Sequence, residues 1–490
     1  MAAKILMVSP YSGRGVGGGL AVMNQELTKA FVELGHEVKL LTIELLANFM
    51  PDEKLHGNAK IIYIQNEHKE RFNDLKSKDA QRNALYELIN SDNVLEDGTI
   101  VEALKTGSFE PDIIIGHSRF SGPAAVKLKQ KFFPKATVEY FLHSYPIEGS
   151  LLVRHKAYDE PIDADLASTK LEQEKQWMEQ ADVAVGVGPL LRYGATLILG
   201  DKLGNPCRVH ECIPGTSLNP NPVRFSQDHN GNGKKDLLMS GRANAPIKGL
   251  EDLLLAAMKI RNVKPPREDF RVRVRGWQNK VYEDRKPKSQ DTVAVNTVDK
   301  DYVQLWAQGV LGLDTTTTNT DVVDILPITP DAEELEQDIR KAYAVLMPSY
   351  AEHFGLIPFD ALGLGVPILM SEFSGAAMFL GDITRFGDLA SEFIVHDFGD
   401  EKKPRPLNGT DFLTNVAENG FDRRPDAWKR AIEGLLDDPQ SRFAAAMKIW
   451  EELGSYTWAH CAYGLLGAPG FDAGNVSKQG PDGCVLSAAD

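Results

Sequence analysis

Apolar and polar positions alternate along this chain in two repeating rhythms. Runs of buried-strand character, "KILMVS", "HEVKLLT", "NAKIIYIQ", "PDIIIGHS", "ATVEYFLHS" and "ADVAVGVG", come first. Between them lie amphipathic helical stretches such as "GLAVMNQELTKAFVELG", closed by Gly35, then "AAVKLKQKF" and "LASTKLEQEKQWMEQ". A charged helical region is expected from Glu67 to about Leu104. The segment "IPGTSLNPNPVRFSQDHNGNGKK" has no periodicity and is rich in Pro, Asn and Gly, so it reads as a linker. The alternation then restarts with strands "DLLMSG", "FRVRVRG", "VDILPIT", "YAVLMPS", "VPILMS" and "FIVHDF" and helices "GLEDLLLAAMKI", "AEELEQDIRKA" and "LIPFDALGLG". Strands alternating with helices imply parallel sheets covered on both faces. The expected class is therefore α/β, with two Rossmann-like domains over 1–218 and 219–445. A last helical segment, 446–467, is followed by a flexible tail, 468–490. A polar stretch between Trp277 and Asp324, containing "TTTTNT", interrupts the second rhythm and receives no role.

Length and composition narrow the partners. At 490 residues the chain exceeds one hydrophobic core, and 42% apolar with 25% charged residues is ordinary for a globular protein. Its net charge of −15 argues against general binding to nucleic acid or to anionic membrane. No apolar run is long enough to span a bilayer, so no stable membrane insertion is expected. The N-terminal "ILMV" is too short for a signal peptide, and the expected location is cytoplasmic. Cys207, Cys212, Cys461 and Cys484 lack zinc-site spacing and read as isolated reduced thiols.

In a doubly wound sheet, ligands bind beyond the carboxyl ends of the strands, and the unusual polar clusters lie there. With two such domains, a cleft between them is the expected site. "MPSYAEHFGLIPFDALGLGVPILMSEFSG", residues 347 to 375, runs strand, loop, short helix, strand. Pro358 suits the helix start, and the free amides there, including Gly355 and Leu356, favour an anion. Glu352 and Asp360 would repel that anion and are better placed to accept hydrogen bonds from hydroxyls. A ligand carrying both phosphate and sugar satisfies both demands. "LLMSGRANAPIKGLEDLLLAA" adds two cations at a strand end, Arg242 and Lys248. His117 and His143 end adjacent strands; His117 is the candidate to orient a sugar group, and His143 reads as structural.

"PSYAEHFGLIPFDALGLGVPIL" resembles the E-x7-E signature of retaining glycosyltransferases of the GT-B fold, family 4 in particular, with Asp360 where the family has a second glutamate. The resemblance spans about residues 3 to 465. It implies a GT-B fold and transfer of a hexose-type sugar from a nucleotide-diphosphate sugar to an acceptor hydroxyl by front-face substitution. It places Glu352 near the donor sugar and Asp360 on the ribose hydroxyls. Arg242 and Lys248 fall on the leaving diphosphate, and Phe354, Gly355 and Leu356 in the donor loop. His117 is set by the reacting sugar. "SYTWAHCAYGLL" is similar to the family's last helix, which crosses back to the first domain.

The opening "SGRGVGGGLA" contains G-x-G-x-x-G as Gly13, Gly15 and Gly18. A dinucleotide site also needs an acid at the end of the next strand, where Glu44 is a poor candidate. The family instead carries a Gly-Gly before this helix, which implies that Gly18 and Gly19 approach the donor through backbone amides. Val16 stands where glycogen and starch synthases have lysine. Asp163 and Asp165 match a D-x-D metal motif but precede a helix, where capping is their ordinary work. No metal or other cofactor is therefore expected. Nucleobase, sugar, acceptor and oligomeric state stay open, with Ile325 to Ile328 a candidate for base recognition. A sugar-nucleotide-binding protein of the same fold without turnover is the alternative reading, and an NAD-dependent dehydrogenase a more distant one.

Overall fold

A computed structural model describes residues 2–10, 18–43, 56–64, 78–145, 164–200, 208–226, 233–243, 245–277, 300–316, 319–329, 331–396 and 424–467. Gly13, Gly15, Val16, Glu44, Asp163, Cys207, Cys484 and the tail from 468 lie outside these residues, as does the side chain of Asp165. No described helix is long and apolar enough to cross a membrane.

The chain divides into two compact units, each built on one sheet. The first comprises Met1–Tyr145, Thr169–Gly215 and the chain from Tyr456 onward; the second comprises Pro146–Ser168 and Thr216–Ser455. The division thus falls at 215/216 and 455/456, where the sequence pattern placed it at 218/219 and 445/446.

Among the described residues, the first sheet consists of β1 (Lys4–Val8), β2 (Glu37–Ile43), β3 (Lys60–Ile64), β4 (Ile113–His117), β5 (Thr137–Leu142), β6 (Val183–Val187) and β7 (Arg208–Cys212). Their spatial order is β3-β2-β1-β4-β5-β6-β7, and every pairing is parallel. The second consists of β8 (Lys235–Ser240), β9 (Phe270–Trp277), β10 (Val323–Pro327), β11 (Ala344–Met347), β12 (Ile368–Ser371) and β13 (Ile394–Val395). It runs β10-β9-β8-β11-β12-β13, again all parallel. Both are the doubly wound order, in which the chain reverses direction beside the first strand of the sheet. β1, β4, β6 and β11 are dominated by apolar residues because helices cover both faces. Ile5, Leu6, Met7, Ile113, Ile114 and Ile115 expose no surface.

These two α/β sheets are the GT-B architecture. Several elements lie beyond the sequence pattern, among them the helices Arg424–Asp437 and Pro439–Glu452, which precede the last helix Trp458–Leu466 where one segment over 446–467 was expected. The helix Gly188–Leu199 follows β6, with Pro189 in its first turn, and leads to β7, whose "RVHEC" carries too many polar residues to read as a strand. The helix Lys300–Val310 occupies part of the polar stretch after Trp277. Its Gln304 and Gln308 are buried. Gln304 accepts from the Ile325 amide at 3.0 Å and donates to the Val323 carbonyl, while Gln308 accepts from the Asn319 amide at 2.7 Å. The linker has no regular element between Pro214 and Ser226. It runs beside the helix Ile357–Gly363, with Asn219 and Val223 amides on the Gly363 and Leu364 carbonyls.

Candidate functional site

In the second unit the switch point lies between β8 and β11, so two loops leave the sheet side by side there. The first loop follows β8. Gly241 has φ +134, and a Cβ at Gly276 would meet the Gly241 carbonyl oxygen at 1.7 Å, so glycine lets the ends of β8 and β9 cross. Arg242 emerges beyond this crossing with its side chain exposed. A 3-10 turn, Pro246–Lys248, then leads to Gly249 at φ +74.

The second loop follows β11, and the two loops touch. A Cβ on Gly249 would stand 2.1 Å from the Pro348 carbonyl oxygen, and the Tyr350 amide donates to the Ile247 carbonyl at 2.8 Å. This contact brings together Lys248 and Glu352, 104 residues apart in sequence, as an ion pair. Their side chains are 19% and 22% exposed, enough for a ligand to reach and too little for water to screen the pair fully.

Glu352 is held by its backbone as well. Its amide donates to the Phe373 carbonyl at 3.1 Å and its carbonyl accepts from the Gly375 amide at 2.9 Å. Burial pushes its carboxyl up, but Lys248 chiefly, with His353 and Arg242, pulls it below the usual carboxylate range. It is therefore ionised at neutral pH. Gly355 turns the loop at φ +88, and Leu356 caps the helix Ile357–Gly363, with Pro358 in its first turn. Asp360 is half-buried in that same turn. Phe354 is buried, with its ring stacked on Phe359 at 5.0 Å, so it anchors the loop and presents no surface to a ligand. Behind the loop, the wholly buried Arg424 donates to the Pro348 carbonyl at 2.8 Å and lies 3.7 Å over the Tyr350 ring. It pairs with Asp252 at 3.3 Å, and Asp252 also accepts from the Tyr350 hydroxyl. Sequence reading missed this brace, since an arginine beside a Pro carries no motif.

In the first unit the switch point lies between β1 and β4. Gly18 caps the helix Gly19–Glu33 at φ +61 and ψ −141, accepting from the Ala21 and Val22 amides through its carbonyl; both Gly18 and Gly19 are exposed. His117 ends β4 and is wholly buried. Burial holds its imidazole neutral, lowered to about 3. Its Nδ1 lies 2.8 Å from Nε2 of His143 and its Nε2 3.3 Å from Oδ1 of the buried Asn24. His143 is half-buried. Of the two histidines, His117 is wholly buried, while His143, in contact with it, keeps part of its surface exposed. The turn between strand and helix is tight, with Ser118 at φ +43, its hydroxyl donating to the Phe141 carbonyl and accepting from the His143 amide.

Comparison with known proteins agrees with this construction. Residues 12–465 match the family described as "Family 4 Glycosyltransferase in conflict systems". The D-inositol 3-phosphate glycosyltransferase of Corynebacterium diphtheriae is 28% identical over 130 residues, which is 26% of this chain and 23% of that protein. The enzyme of the same name from Rhodococcus opacus is 26% identical over 29% of this chain and 25% of its own. The matched stretch thus spans about a quarter of these curated relatives. Among solved structures, sucrose-phosphate synthase from Thermosynechococcus elongatus covers 94% of this chain and 97% of its own, with a TM-score of 0.60 at 17% identity. The E. coli trehalose-6-phosphate structure bound with UDP-2-fluoro glucose covers 95% and 99%, with a TM-score of 0.57 at 17% identity. A Burkholderia xenovorans α,α-trehalose-phosphate synthase (UDP-forming) in complex with glucose-6-phosphate covers 94% and 99%, with a TM-score of 0.57 at 13% identity. These structural likenesses speak for the fold; with the family match across nearly the whole sequence, the chain belongs to the family 4 glycosyltransferases of conflict systems.

Proposed function

We infer that the protein is a retaining glycosyltransferase that moves a hexose-type sugar from a nucleotide-diphosphate sugar to an acceptor hydroxyl. The observation that carries this reading is the Lys248–Glu352 pair at the switch point of the second sheet, with Arg242 exposed beside it. Breaking the bond between sugar and phosphate adds one negative charge to the departing diphosphate, which already carries two. Arg242 presents a fork that bridges phosphate oxygens, and Lys248 a point charge. Fixed cations aimed at developing charge are the largest single source of rate in such a step. Leaving-group charge is met by these side chains, so the reading requires no metal.

Glu352, ionised and held by three backbone contacts around its loop, accepts hydrogen bonds from hydroxyls of the donor sugar. Asp360 takes the ribose hydroxyls, and the amides of Gly355 and Leu356 add anion contacts at the helix start. In the first unit, Gly18 and Gly19 are exposed at a helix start, and His143, fixed by His117, offers a hydrogen bond to a sugar hydroxyl. The acceptor hydroxyl enters on the face the diphosphate leaves, which retains the anomeric configuration. The relatives' names support a UDP-sugar as the first donor to try and a small phosphorylated polyol or sugar as the first acceptor.

The test is a thermal-shift screen of UDP-, GDP- and ADP-sugars followed by assay of nucleoside diphosphate release. Binding to the folded state raises the melting temperature in proportion to the logarithm of ligand concentration over affinity. One nucleotide class should raise it, and wild type should then release diphosphate, with Glu352→Gln much slower. NMR of the product should show the donor's anomeric configuration. A folded protein that no nucleotide sugar stabilises overturns the reading. Stabilisation without release in the presence of acceptor favours the second reading, a sugar-nucleotide-binding protein, for which Asp360 in place of glutamate is the supporting observation.

A further inference from the structure

The first unit carries a buried chemical cluster that the transfer reaction does not use. Cys212 ends β7 and Cys461 lies in the helix Trp458–Leu466, 249 residues later, yet their sulfurs are 3.1 Å apart. They are 3% and 7% exposed. Both are free thiols, within about an ångström of bonding distance. Where they sit gives the contact a consequence. The chain leaves the first unit at Gly215 and re-enters it at Tyr456, and these crossing segments touch: a Cβ on Gly215 would stand 2.2 Å from the Trp458 nitrogen. The cysteines flank that contact, three residues before one crossing and five after the other.

Glu139, on the neighbouring part of the sheet, is buried, and neither of its carboxylate oxygens has a hydrogen-bond partner. Burial holds its carboxyl up at about 8. Burial, then the contact with Cys461, then the charges of Glu139 and Glu211 push the Cys212 thiol well above its usual range. A raised thiol is inert toward casual reagents, so the pair rests in the reduced form.

We propose that Cys212 and Cys461 form a reversible oxidation site for hydrogen peroxide, converted to a disulfide that ties the two crossing segments together. Local opening of the nine-residue helix Trp458–Leu466 admits the peroxide. One thiol gives up its proton to the water that the opening admits. The thiolate sulfur attacks a peroxide oxygen and the O–O bond breaks, giving a sulfenic acid and hydroxide, which is protonated to water. The second sulfur displaces hydroxide from the sulfenic sulfur: the S–S bond forms, the S–O bond breaks, and a second water leaves. Two thiols lose two electrons and peroxide becomes two waters. A thiol reductant restores the pair. The disulfide closes a covalent loop around all of Thr216–Ser455, the larger part of the second unit.

The experiment treats the full chain with peroxide. Titratable thiols should fall from four to two, and non-reducing peptide mapping should find the Cys212 peptide joined to the Cys461 peptide, two hydrogens lighter. The melting temperature should rise by roughly 5 °C and return on reduction. Cys212→Ser should abolish the linkage. A linkage to Cys207 or Cys484 instead, or none at a dose that fully oxidises a small free thiol, overturns the proposal. Mapping of the wild type decides this even where Cys212→Ser fails to fold.

Discussion

The two units begin alike and diverge in chemistry. In each, the first strand of the sheet leads to a helix whose N-cap is a glycine at positive φ: Gly18 before Gly19–Glu33, and Gly249 before Leu250–Arg261. Around Gly249 the second unit gathers charge, with Lys248 beside it, Arg242 before it and Glu352 across the loop contact. Around Gly18 the first unit gathers neutral polar groups, Asn24, His117 and His143. The glycines differ too. A Cβ on Gly249 would strike the Pro348 carbonyl, whereas a Cβ on Gly18 would meet nothing within 4 Å. One strand order therefore fixes where loops emerge and leaves their chemistry to a handful of residues. At its switch point the second unit presents two cations and a carboxylate, and the first presents neutral polar groups.

The comparison breaks most sharply at its charged end. Arg242→Ala should lower turnover by roughly 10²–10³-fold, the scale of removing one preorganised charge-stabilising group, or about 3–4 kcal/mol of barrier. Because the side chain is exposed, stability should hardly change. Steady-state kinetics beside a melting curve would decide it, and undiminished turnover in the folded variant would remove Arg242 from the mechanism.

Next comes the crowded glycine. Gly249→Ala adds backbone strain to a collision with the Pro348 carbonyl. Together these should cost about 3 kcal/mol of stability and separate Lys248 from Glu352. Chemical denaturation measures the first effect. Loss of nucleotide-sugar stabilisation in the thermal-shift assay measures the second.

The units should also titrate differently. The second buries a charged carboxylate: with Glu352 below its ordinary range, its contribution is present above that range and lost as pH falls. The first buries neutral groups. His117, lowered from 6.5 to about 3, makes stability fall as pH drops below 6.5, because only the unfolded chain takes the proton there. Glu139, raised from 4.5 to about 8, acts in the opposite sense. Its contribution is full below 4.5 and is lost as pH rises toward 8, since only the unfolded chain releases the proton. Between 4.5 and 6.5 the His117 and Glu139 slopes oppose each other, and from 6.5 to 8 His117 no longer offsets the Glu139 slope. Glu139→Gln should remove that alkaline decline. Denaturation curves at pH 6, 7 and 8 that run parallel for the two proteins would count against it.

Much of this was legible in the sequence, for reasons that also explain the gaps. The strands of a doubly covered parallel sheet are continuous apolar runs, so β1, β4 and β11 announce themselves. β7 does not, because an edge strand reading Arg-Val-His-Glu-Cys has no apolar face to display. The helix Lys300–Val310 was hidden by glutamines that are buried and hydrogen-bonded, and look like surface residues in a sequence. Arg242, Lys248, Glu352 and Asp360 were found through spacing. The direct pairing of Lys248 with Glu352 was not, since a contact between residues 104 apart is made by sheet topology. The difference in burial between His117 and His143 has a similar cause. Both end strands in polar company, and which one the next helix covers is a property of packing.

Gly18 offers the smallest effect and the cleanest reading. Its φ of +61 with ψ −141 belongs to a region that side chains enter only under strain, while the space around it is open. Gly18→Ala should therefore cost about 1 kcal/mol through the backbone alone. Gly18→Ser should cost the same, because the added hydroxyl meets nothing. At Gly249 the collision adds to the backbone term, so the difference between the two alanine variants measures the close approach of the Pro348 carbonyl. If Gly18→Ala also weakens nucleotide-sugar binding beyond what its stability loss explains, the backbone amides at Gly18 and Gly19 take part in holding the donor. Were binding to fall only in step with stability, the glycine pair would be there to start a helix, and the donor would be held from the second unit alone.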